Sequence, residues 1–367
     1  MKKKRVVAAM SGGVDSSVAA ALLLRSGYDV IGMTMQIWSA NAPADDYGGC
    51  CSLAAVGDAR RVCDVLGIPY YVVNLRDQFA DKVIAYFVDE YRRGRTPNPC
   101  IACNRYLKWE ALLQRALELE ADYVATGHYA RIGEGADGRR LLLRGLDRSK
   151  DQSYALYNLT QEQLQRTLLP LGGLTKTEVR RIAAEIGLAV ADKPDSQEIC
   201  FVHDNDYRRY LRDEAGLGEQ PGPIIDTAGK RIGTHRGIAF YTVGQRRGLG
   251  IAAPEPLYVV ELDPDRNAVI VGARSELDAA GLVASQLNWV AGRAPSWPCR
   301  ATVKIRYNAD DVACTISPDA AAADSVTVRF AAPQRAVAPG QAAVFYDGEV
   351  VLGGGVIDRK LRAEASA

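Results

Sequence analysis

The feature that most constrains the fold is the regular alternation of short apolar runs and helical segments over the first 130 residues. The apolar run at 5–10 is too short for a helix, and a Gly-rich turn follows it directly. Strands are predicted over 5–10, 28–36, 68–74 and 123–127, and helices over 18–26, 58–66, 78–93 and 104–120. Buried strands that alternate with helices favour a parallel, doubly wound α/β sheet. The predicted fold class of this region is therefore α/β.

The pattern changes near residue 205. Residues 216–232 are rich in Gly and Pro, and short runs of alternating apolar and polar residues follow, with Asp347-Gly348 as a hairpin turn signal. A succession of short strands is typical of a small barrel. We predict a catalytic α/β domain at 1–205, a small central β-rich domain at 206–282 and a C-terminal β-barrel at 283–367.

Composition excludes several classes of protein. The chain has 45 Lys+Arg, 44 Asp+Glu and 48% hydrophobic residues, which is typical of globular proteins. No apolar run approaches the roughly 20 residues of a membrane span, and the run behind the basic start is too short for a secretory signal. We expect a cytoplasmic protein without a membrane partner. Because charge is balanced in each predicted domain, a polyanion would be bound by local groups, with modest salt dependence.

The Gly-rich turn Ser11-Gly-Gly-Val-Asp-Ser16 joins a predicted strand to a predicted helix. Two glycines let the backbone approach an anion, and successive N–H groups at a helix start bind phosphate. The turn lacks the Gly-Lys-Ser/Thr of kinases and GTPases and the Gly-x-Gly-x-x-Gly of dinucleotide-binding folds. A simple Ser-capped βα turn is the alternative. The segment resembles the pyrophosphate-binding loop of N-type ATP pyrophosphatases, which adenylate a substrate and release pyrophosphate.

Eight cysteines are present, and disulfides are uncommon in cytoplasmic proteins. Cys63, Cys299 and Cys314 lie in apolar or β-rich sequence, which predicts buried small hydrophobic residues. Cys103 precedes a predicted helix, and the helix dipole favours its thiolate. The Cys100-x-x-Cys103 spacing also fits a redox pair or half of a zinc site, but no second Cys/His pair completes one.

Several blocks, in order, resemble the bacterial tRNA-specific 2-thiouridylase family over most of the chain. They are Gly49-Cys-Cys-Ser52, Arg95-Thr-Pro-Asn-Pro99 with Cys103-Asn104, 125–131, Lys150-Asp-Gln-Ser153, Leu174-Thr-Lys-Thr-Glu-Val179, Lys193-Pro-Asp-Ser-Gln197 with Ile199-Cys-Phe201, and Tyr241-Thr-Val-Gly-Gln245. The resemblance implies an adenine-nucleotide α-hydrolase-like catalytic domain. It also implies an enzyme that adenylates O2 of the wobble uridine of Lys, Glu and Gln tRNAs and replaces that oxygen with sulfur.

The resemblance assigns chemistry to two cysteines. Cys200 matches the residue that carries sulfur as a persulfide, and Cys103 matches the partner nucleophile, so the reaction leaves a Cys103–Cys200 disulfide. The sulfur comes from a persulfide carrier protein or a cysteine desulfurase. Some family members have Asp at the position of Cys100. Cys100, Cys103 and Cys200 therefore also form a candidate ligand set for a [4Fe–4S] cluster, which would supply the sulfur instead.

The resemblance also assigns binding residues. The ATP site comprises Ala9, Met10, Ser11, Gly12, Gly13, Val14, Asp15, Ser16, Met35 and Gly127, and Asp15 is a candidate for holding Mg²⁺ beside the phosphates. The tRNA site comprises Asn98, Pro99, Cys100, His128, Lys150, Asp151, Gln152, Arg306, Tyr307 and Gln341. A satisfied strand-end imidazole is the alternative for His128. For Arg306-Tyr307 the alternative is a solvent-facing arginine next to a core tyrosine in a strand.

Two other classes of function fit parts of the sequence. One is an adenylating synthetase of the same superfamily that acts on a small molecule, which leaves Cys103, Cys200 and the β-rich region without a role. The other is a redox-sensing or metal-binding adaptor that uses the Cys100-x-x-Cys103 pair. Pyrophosphate release that depends on tRNA would distinguish a tRNA 2-thiouridylase from both the small-molecule synthetase and the adaptor.

Overall fold

The computed structural model of the protein describes residues 3–37, 53–191, 193–194, 199–202 and 204–362. Cys50, Cys51, His203 and residues 195–198 lie outside the described residues, whereas every other residue proposed above for a site lies within them. In those described segments, no helix is both long and apolar enough to cross a lipid bilayer.

The first part of the chain forms a parallel sheet with helices on both faces. The strands and helices up to residue 118 are β1 (Arg5–Ala9), α1 (Val14–Arg25), β2 (Asp29–Gln36), α2 (Leu53–Leu66), β3 (Tyr70–Asn74), α3 (Arg76–Phe79, Ala80–Ile84 and Ala85–Arg92) and α4 (Pro99–Ala102, Cys103–Leu112 and Leu113–Glu118). The middle segments of α3 and α4 are π-helical. Next come β4 (Tyr123–Ala125), β5 (Ala130–Glu134), β6 (Arg140–Arg144), α5 (Gln161–Gln165), β7 (Thr167–Leu168) and α6 (Lys176–Ile186).

The strand order β3-β2-β1-β4-β7 is parallel throughout, which confirms the doubly wound α/β prediction. Alternate residues of β1 point to opposite faces of the sheet. Val7 packs in the cluster that includes α3 and α4, while Val6 and Ala8 pack in the cluster that includes α1, α2 and α6. Both faces of the sheet are therefore buried at β1, as expected for a short, wholly apolar strand, whereas Tyr71 and Val72 of the edge strand β3 are exposed.

All four helices predicted for this region begin earlier than expected, with α2 at Leu53 rather than residue 58 and α3 at Arg76 rather than residue 78. Helix α1 begins at Val14 rather than residue 18, because Gly13 is extended and serves as the N-cap. Helix α4 begins at Pro99 rather than residue 104. Asn98 caps it by accepting hydrogen bonds from two backbone N–H groups, and proline is well suited to the first helical position. Cys103 consequently lies one turn inside the helix and not at its N-terminus.

Two further sheets follow. A helical segment, α7 (Tyr207–Arg209 and Tyr210–Glu214), leads into β8 (Gly222–Asp226), β9 (Arg231–His235), β10 (Tyr258–Asp263) and β11 (Ala268–Gly272), which form a sheet of order β10-β11-β8-β9. The last strands are β12 (Asp278–Trp289), β13 (Cys299–Lys304), β14 (Val312–Pro318), β15 (Val326–Arg335), β16 (Ala342–Asp347) and β17 (Val350–Leu361).

The last six strands close into a barrel, because β12 pairs with both β15 and β17. The predicted C-terminal β-barrel is therefore confirmed. Its core contains the fully buried residues Val303, Ile316, Val328, Phe345 and Ile357. The predicted hairpin at Asp347-Gly348 joins β16 to β17, and Gly348 has a φ of 56°, which favours glycine.

A hairpin of the α/β region extends the barrel sheet. Strand β6 pairs with β17, and β5 pairs with β6 at the edge of that eight-stranded sheet. The buried Arg144 guanidinium lies 3.5 Å from the Tyr346 ring centroid and forms an ion pair with Asp311. The α/β region and the barrel are thus joined by a continuous sheet.

Candidate nucleotide and sulfur-transfer site

The candidate nucleotide site lies where the strand order reverses. Strands β1 and β4 are neighbours. The strand that follows β1 in this sheet, β2, lies towards one edge, and the strand that follows β4, β7, lies towards the other. A crevice at the carboxyl ends of such strands is the usual ligand site of open α/β sheets. The loop 10–13 follows β1, and Thr126, Gly127 and His128 follow β4.

Hydrogen bonds within the loop fix its shape. The Ser16 hydroxyl accepts from the Ser11 N–H at 3.1 Å and donates to the Gly13 carbonyl at 3.1 Å. The Ser17 hydroxyl donates to the same carbonyl at 2.8 Å. No side chain caps the N-terminus of α1. The N–H groups of its first turn are therefore directed at the crevice, as an anion site requires.

Two glycines let the surrounding backbone approach the loop closely. Gly12 has a φ of +68°, and a Cβ there would lie 2.2 Å from the Ala55 carbonyl oxygen. A Cβ on Gly127 would lie 2.7 Å from the Ser16 nitrogen. Gly127 therefore packs directly on the first turn of α1, and both glycines are required for space.

The candidate sulfur-transfer residues lie on separate elements. Cys103 is half-buried at the start of the π-helical segment of α4, and Cys200 is half-buried in a turn. Both pack against the same hydrophobic cluster. Next to Cys200, the Phe201 ring contacts Phe79 and Phe87 of α3 at centroid distances of 5.7 and 5.2 Å. No disulfide joins Cys103 and Cys200, which are both thiols here, and Cys100 is exposed.

His128 lies between β4 and α4. Its Nδ1 is 2.8 Å from the Thr126 hydroxyl, and its Nε2 is 3.4 Å from Lys108 Nζ. Burial, with a smaller contribution from the Lys108 charge, holds the pKa of His128 well below its usual value. The imidazole is therefore neutral. Because an ammonium group can only donate, Nε2 accepts from Lys108 and Nδ1–H donates to Thr126.

The segment before α4 is attached to the barrel. The Gln341 side chain donates to the Thr96 carbonyl at 2.8 Å, and the Thr96 N–H donates to the Pro339 carbonyl. Asn98, two residues later, caps α4. Gln341 and Asn98 thus fix the segment that leads to Pro99 and Cys100. The start of α4 therefore lies against the barrel.

Residues 150–152, which the sequence suggested as tRNA-binding candidates, have different surroundings. Asp151 is buried, and its carboxylate accepts from the N–H groups of Gly145 and Ser153 at 3.0 Å each. The Gln152 side chain accepts from the Tyr129 N–H. Both side chains therefore hold the loop itself in shape.

Arg306 and Tyr307 lie in a turn after β13 rather than in a strand. The Tyr307 ring contacts Tyr154 with a centroid distance of 6.0 Å, and Tyr307 is 38% exposed. Partial burial, with smaller effects from Asp151 and Cys100, raises the pKa of Tyr307 to about 12. The structure thus brings Tyr307 towards the first turn of α4.

Family models match three successive regions of the chain. They are described as a tRNA methyl transferase HUP domain at residues 4–204, a tRNA methyl transferase PRC-barrel domain at 210–273 and an aminomethyltransferase beta-barrel domain at 279–357.

Similar proteins match almost the whole chain. The tRNA-specific 2-thiouridylase MnmA of Symbiobacterium thermophilum is 58% identical over 364 residues, covering 98% of this chain and 93% of that protein. The tRNA-specific 2-thiouridylase MnmA of Geobacter metallireducens is 56% identical over 360 residues, 97% of each chain. The chain belongs to the tRNA-specific 2-thiouridylase family. Its membership confirms the resemblance found in the sequence motifs.

In this member of the 2-thiouridylase family, sequence reasoning missed two lysines beside the loop. Lys176 Nζ donates to both carboxylate oxygens of Asp15 at 2.8 Å, and the Tyr129 hydroxyl donates to Asp15 as well. Lys193 Nζ donates to the Gly12 carbonyl at 3.1 Å and pairs with Asp58 at 2.7 Å. Both lysines belong to motif blocks quoted above, but only the fold shows that they reach the loop.

The metal candidates do not fit the 2-thiouridylase site as arranged here. Three hydrogen bonds, two of them from Lys176, already occupy the Asp15 carboxylate, so it is not poised to bind Mg²⁺. Within the described ranges, no group of three His, Cys, Asp or Glu side chains is placed to hold a metal ion.

Proposed function

We propose that this chain catalyses ATP-dependent 2-thiolation of the wobble uridine (U34) of tRNA, with 2-thiouridine, AMP and pyrophosphate as products. The observation that carries the proposal is that the loop 10–13 and helix α4, which carries Cys103, lie together at the carboxyl edge of the parallel sheet. Gly127 packs on the loop, and the adjacent His128 contacts Lys108 of the helix that carries Cys103. The names of the related proteins support the same substrate and product.

The first step activates the base. The C2 oxygen of uridine attacks the α-phosphorus of ATP, and pyrophosphate leaves with the electrons of the broken P–O bond. The N–H groups at the start of α1 and the ammonium groups of Lys176 and Lys193 support the charge of the pyrophosphate. The displaced oxygen then leaves as part of AMP, which is a far better leaving group than oxide.

The second step transfers sulfur. A persulfide on Cys200 supplies one sulfane sulfur atom, either by direct attack on C2 or as sulfide released by Cys103. In both routes the Cys103 thiolate bonds to Cys200 Sγ as the persulfide S–S bond breaks. The sulfane sulfur gains the two electrons that the cysteines lose in forming the Cys103–Cys200 disulfide, and AMP leaves from C2 as the new C–S bond forms. A thiol reductant then restores both cysteines, and a persulfide carrier protein or a cysteine desulfurase recharges Cys200.

Two variants test this assignment. Cys103→Ser and Cys200→Ser should each abolish 2-thiouridine formation on tRNA transcripts of the Lys, Glu and Gln type, while ATP binding persists. Cys299→Ser is a matched control, because Cys299 is also half-exposed but lies in the barrel. If either catalytic variant still thiolates at the normal rate, the cysteine roles are wrong.

A pyrophosphate assay separates the other classes of function. Release stimulated by tRNA supports thiolation, release with a small acceptor supports a synthetase, and no release supports an adaptor. The cluster route is tested by anaerobic iron and sulfide analysis with a visible spectrum. We favour the persulfide route because the family resemblance matches Cys200 to the sulfur-carrying residue and Cys103 to its partner nucleophile.

A further inference from the structure

Lys108 differs electrostatically from the other lysines near the site. Lys176 pairs with Asp15 and Lys193 with Asp58. Lys108 is half-buried, and within the described part of the chain it has no carboxylate partner. Its charge is therefore not neutralised by any carboxylate among the described residues. A half-buried cation that is held without a counter-ion favours binding of an anion.

The contacts of Lys108 hold it in place while leaving a donor available. Its Nζ donates to the Asn104 side-chain oxygen at 2.7 Å and to His128 Nε2 at 3.4 Å. Asn104 is itself fixed, because it donates to the Ala155 carbonyl at 2.9 Å. An ammonium group has three N–H bonds, and the described residues accept only two of them. The third is available to a ligand.

The position of Lys108 indicates which reaction it serves. His128 follows Gly127, which packs on the first turn of α1 beside the nucleotide loop. The segment Cys103–Leu112 is π-helical, so residues five apart lie about one turn apart on the same side of the helix. Lys108 therefore lies on the side of α4 that carries Cys103, at the junction between that helix and the nucleotide loop.

We propose that Lys108 is a phosphate-binding residue of this site, positioned by His128 and Asn104. The inference rests on the proposed thiolation function and adds a residue to it. Two phosphates reach such a junction: that of the adenylated base, which becomes AMP, and that of the tRNA backbone next to the target base. The neutral imidazole explains the arrangement, since a charged His128 would lose the Nε2 acceptor that holds Lys108 and would repel the ammonium group.

Binding measurements with AMP, adenosine and substrate tRNA test the proposal. The variants are Lys108→Met, which removes the charge, Lys108→Arg, which keeps it, and Lys82→Met as a control. Lys82 is an exposed lysine of α3, paired with Asp81. Calorimetry should show at least about tenfold weaker AMP binding in Lys108→Met, with adenosine binding unchanged, because only AMP carries the phosphate. Lys108→Arg should retain most of the AMP affinity.

The tRNA measurement identifies the source of the phosphate. If the anion belongs to the RNA backbone, Lys108→Met weakens tRNA binding and lowers the salt slope by about one, while AMP binding stays normal. Unchanged affinity for both ligands, relative to Lys82→Met, overturns the proposal. If the unmodified protein does not bind adenosine, the nucleotide site itself is refuted instead. Thermal unfolding of Lys108→Met shows whether the variant is folded.

Discussion

Substituting Gly127 with alanine should damage the nucleotide site through a single methyl group. The added Cβ would lie 2.7 Å from both the Asp15 carbonyl carbon and the Ser16 nitrogen, well inside van der Waals contact. These atoms are backbone in the first turn of α1, so relief requires the helix start and its loop to shift by several tenths of an ångström. Overpacking of this kind costs about 1–3 kcal/mol of folding free energy.

The substitution should also weaken ATP binding, and this is the effect that bears on function. A shift of the first turn misdirects N–H groups that are placed to bind phosphate, and one charge-assisted hydrogen bond is worth about 1.5–3 kcal/mol. Loss of one such bond corresponds to roughly 10- to 100-fold weaker binding. Calorimetric titration of Gly127→Ala with a non-hydrolysable ATP analogue measures this directly.

Gly173→Ala is the matched control for that experiment. Gly173 is exposed, and a Cβ there has no neighbour within 4 Å. This control should bind the ATP analogue and unfold like the unmodified protein. If Gly127→Ala also binds the analogue normally, the close packing of Gly127 on α1 does not shape the nucleotide site, and the reasoning fails.

Two further predictions concern stability. Arg144→Met should cost about 3–5 kcal/mol in denaturant unfolding, because it leaves buried Asp151 without its cation; Arg148→Met, which breaks an exposed pair, should cost at most about 1 kcal/mol. Similar losses in both variants would contradict this. Burial lowers the pKa of His235, so the folded state resists its protonation. Stability should therefore fall as the pH drops below about 6.5, by up to about 1.4 kcal/mol per pH unit. Buried His128 contributes in the same direction, so His235→Gln should reduce that slope in thermal unfolding without abolishing it, and an unchanged slope would refute the role of His235.

The sequence predicts features that depend on neighbouring residues. Short apolar strands, the Gly-rich loop after β1 and the Asp347-Gly348 turn are all local patterns, and the structure confirms their positions. Helix starts were less predictable. Gly13 and Asn98 act as N-caps through backbone geometry and side-chain hydrogen bonds. Apolar periodicity alone placed those starts four and five residues too late.

The rest of the site depends on contacts between distant residues. Lys176 reaches Asp15 across 161 positions, and Lys108 reaches His128 across 20. Nothing in the local sequence of α4 shows that Lys108 lacks a carboxylate partner. Such properties arise only when the sheet edge, α4 and α6 are packed together.

The pairing of β6 with β17 has a consequence for how this protein can be divided. If the chain were cut after residue 205, β6 would present an open strand edge, a common starting point for aggregation. The same cut would leave the buried Arg144 without Asp311 and the Tyr346 ring. The barrel is therefore not an appended module that could be exchanged or deleted. The α/β region needs it to complete its own fold.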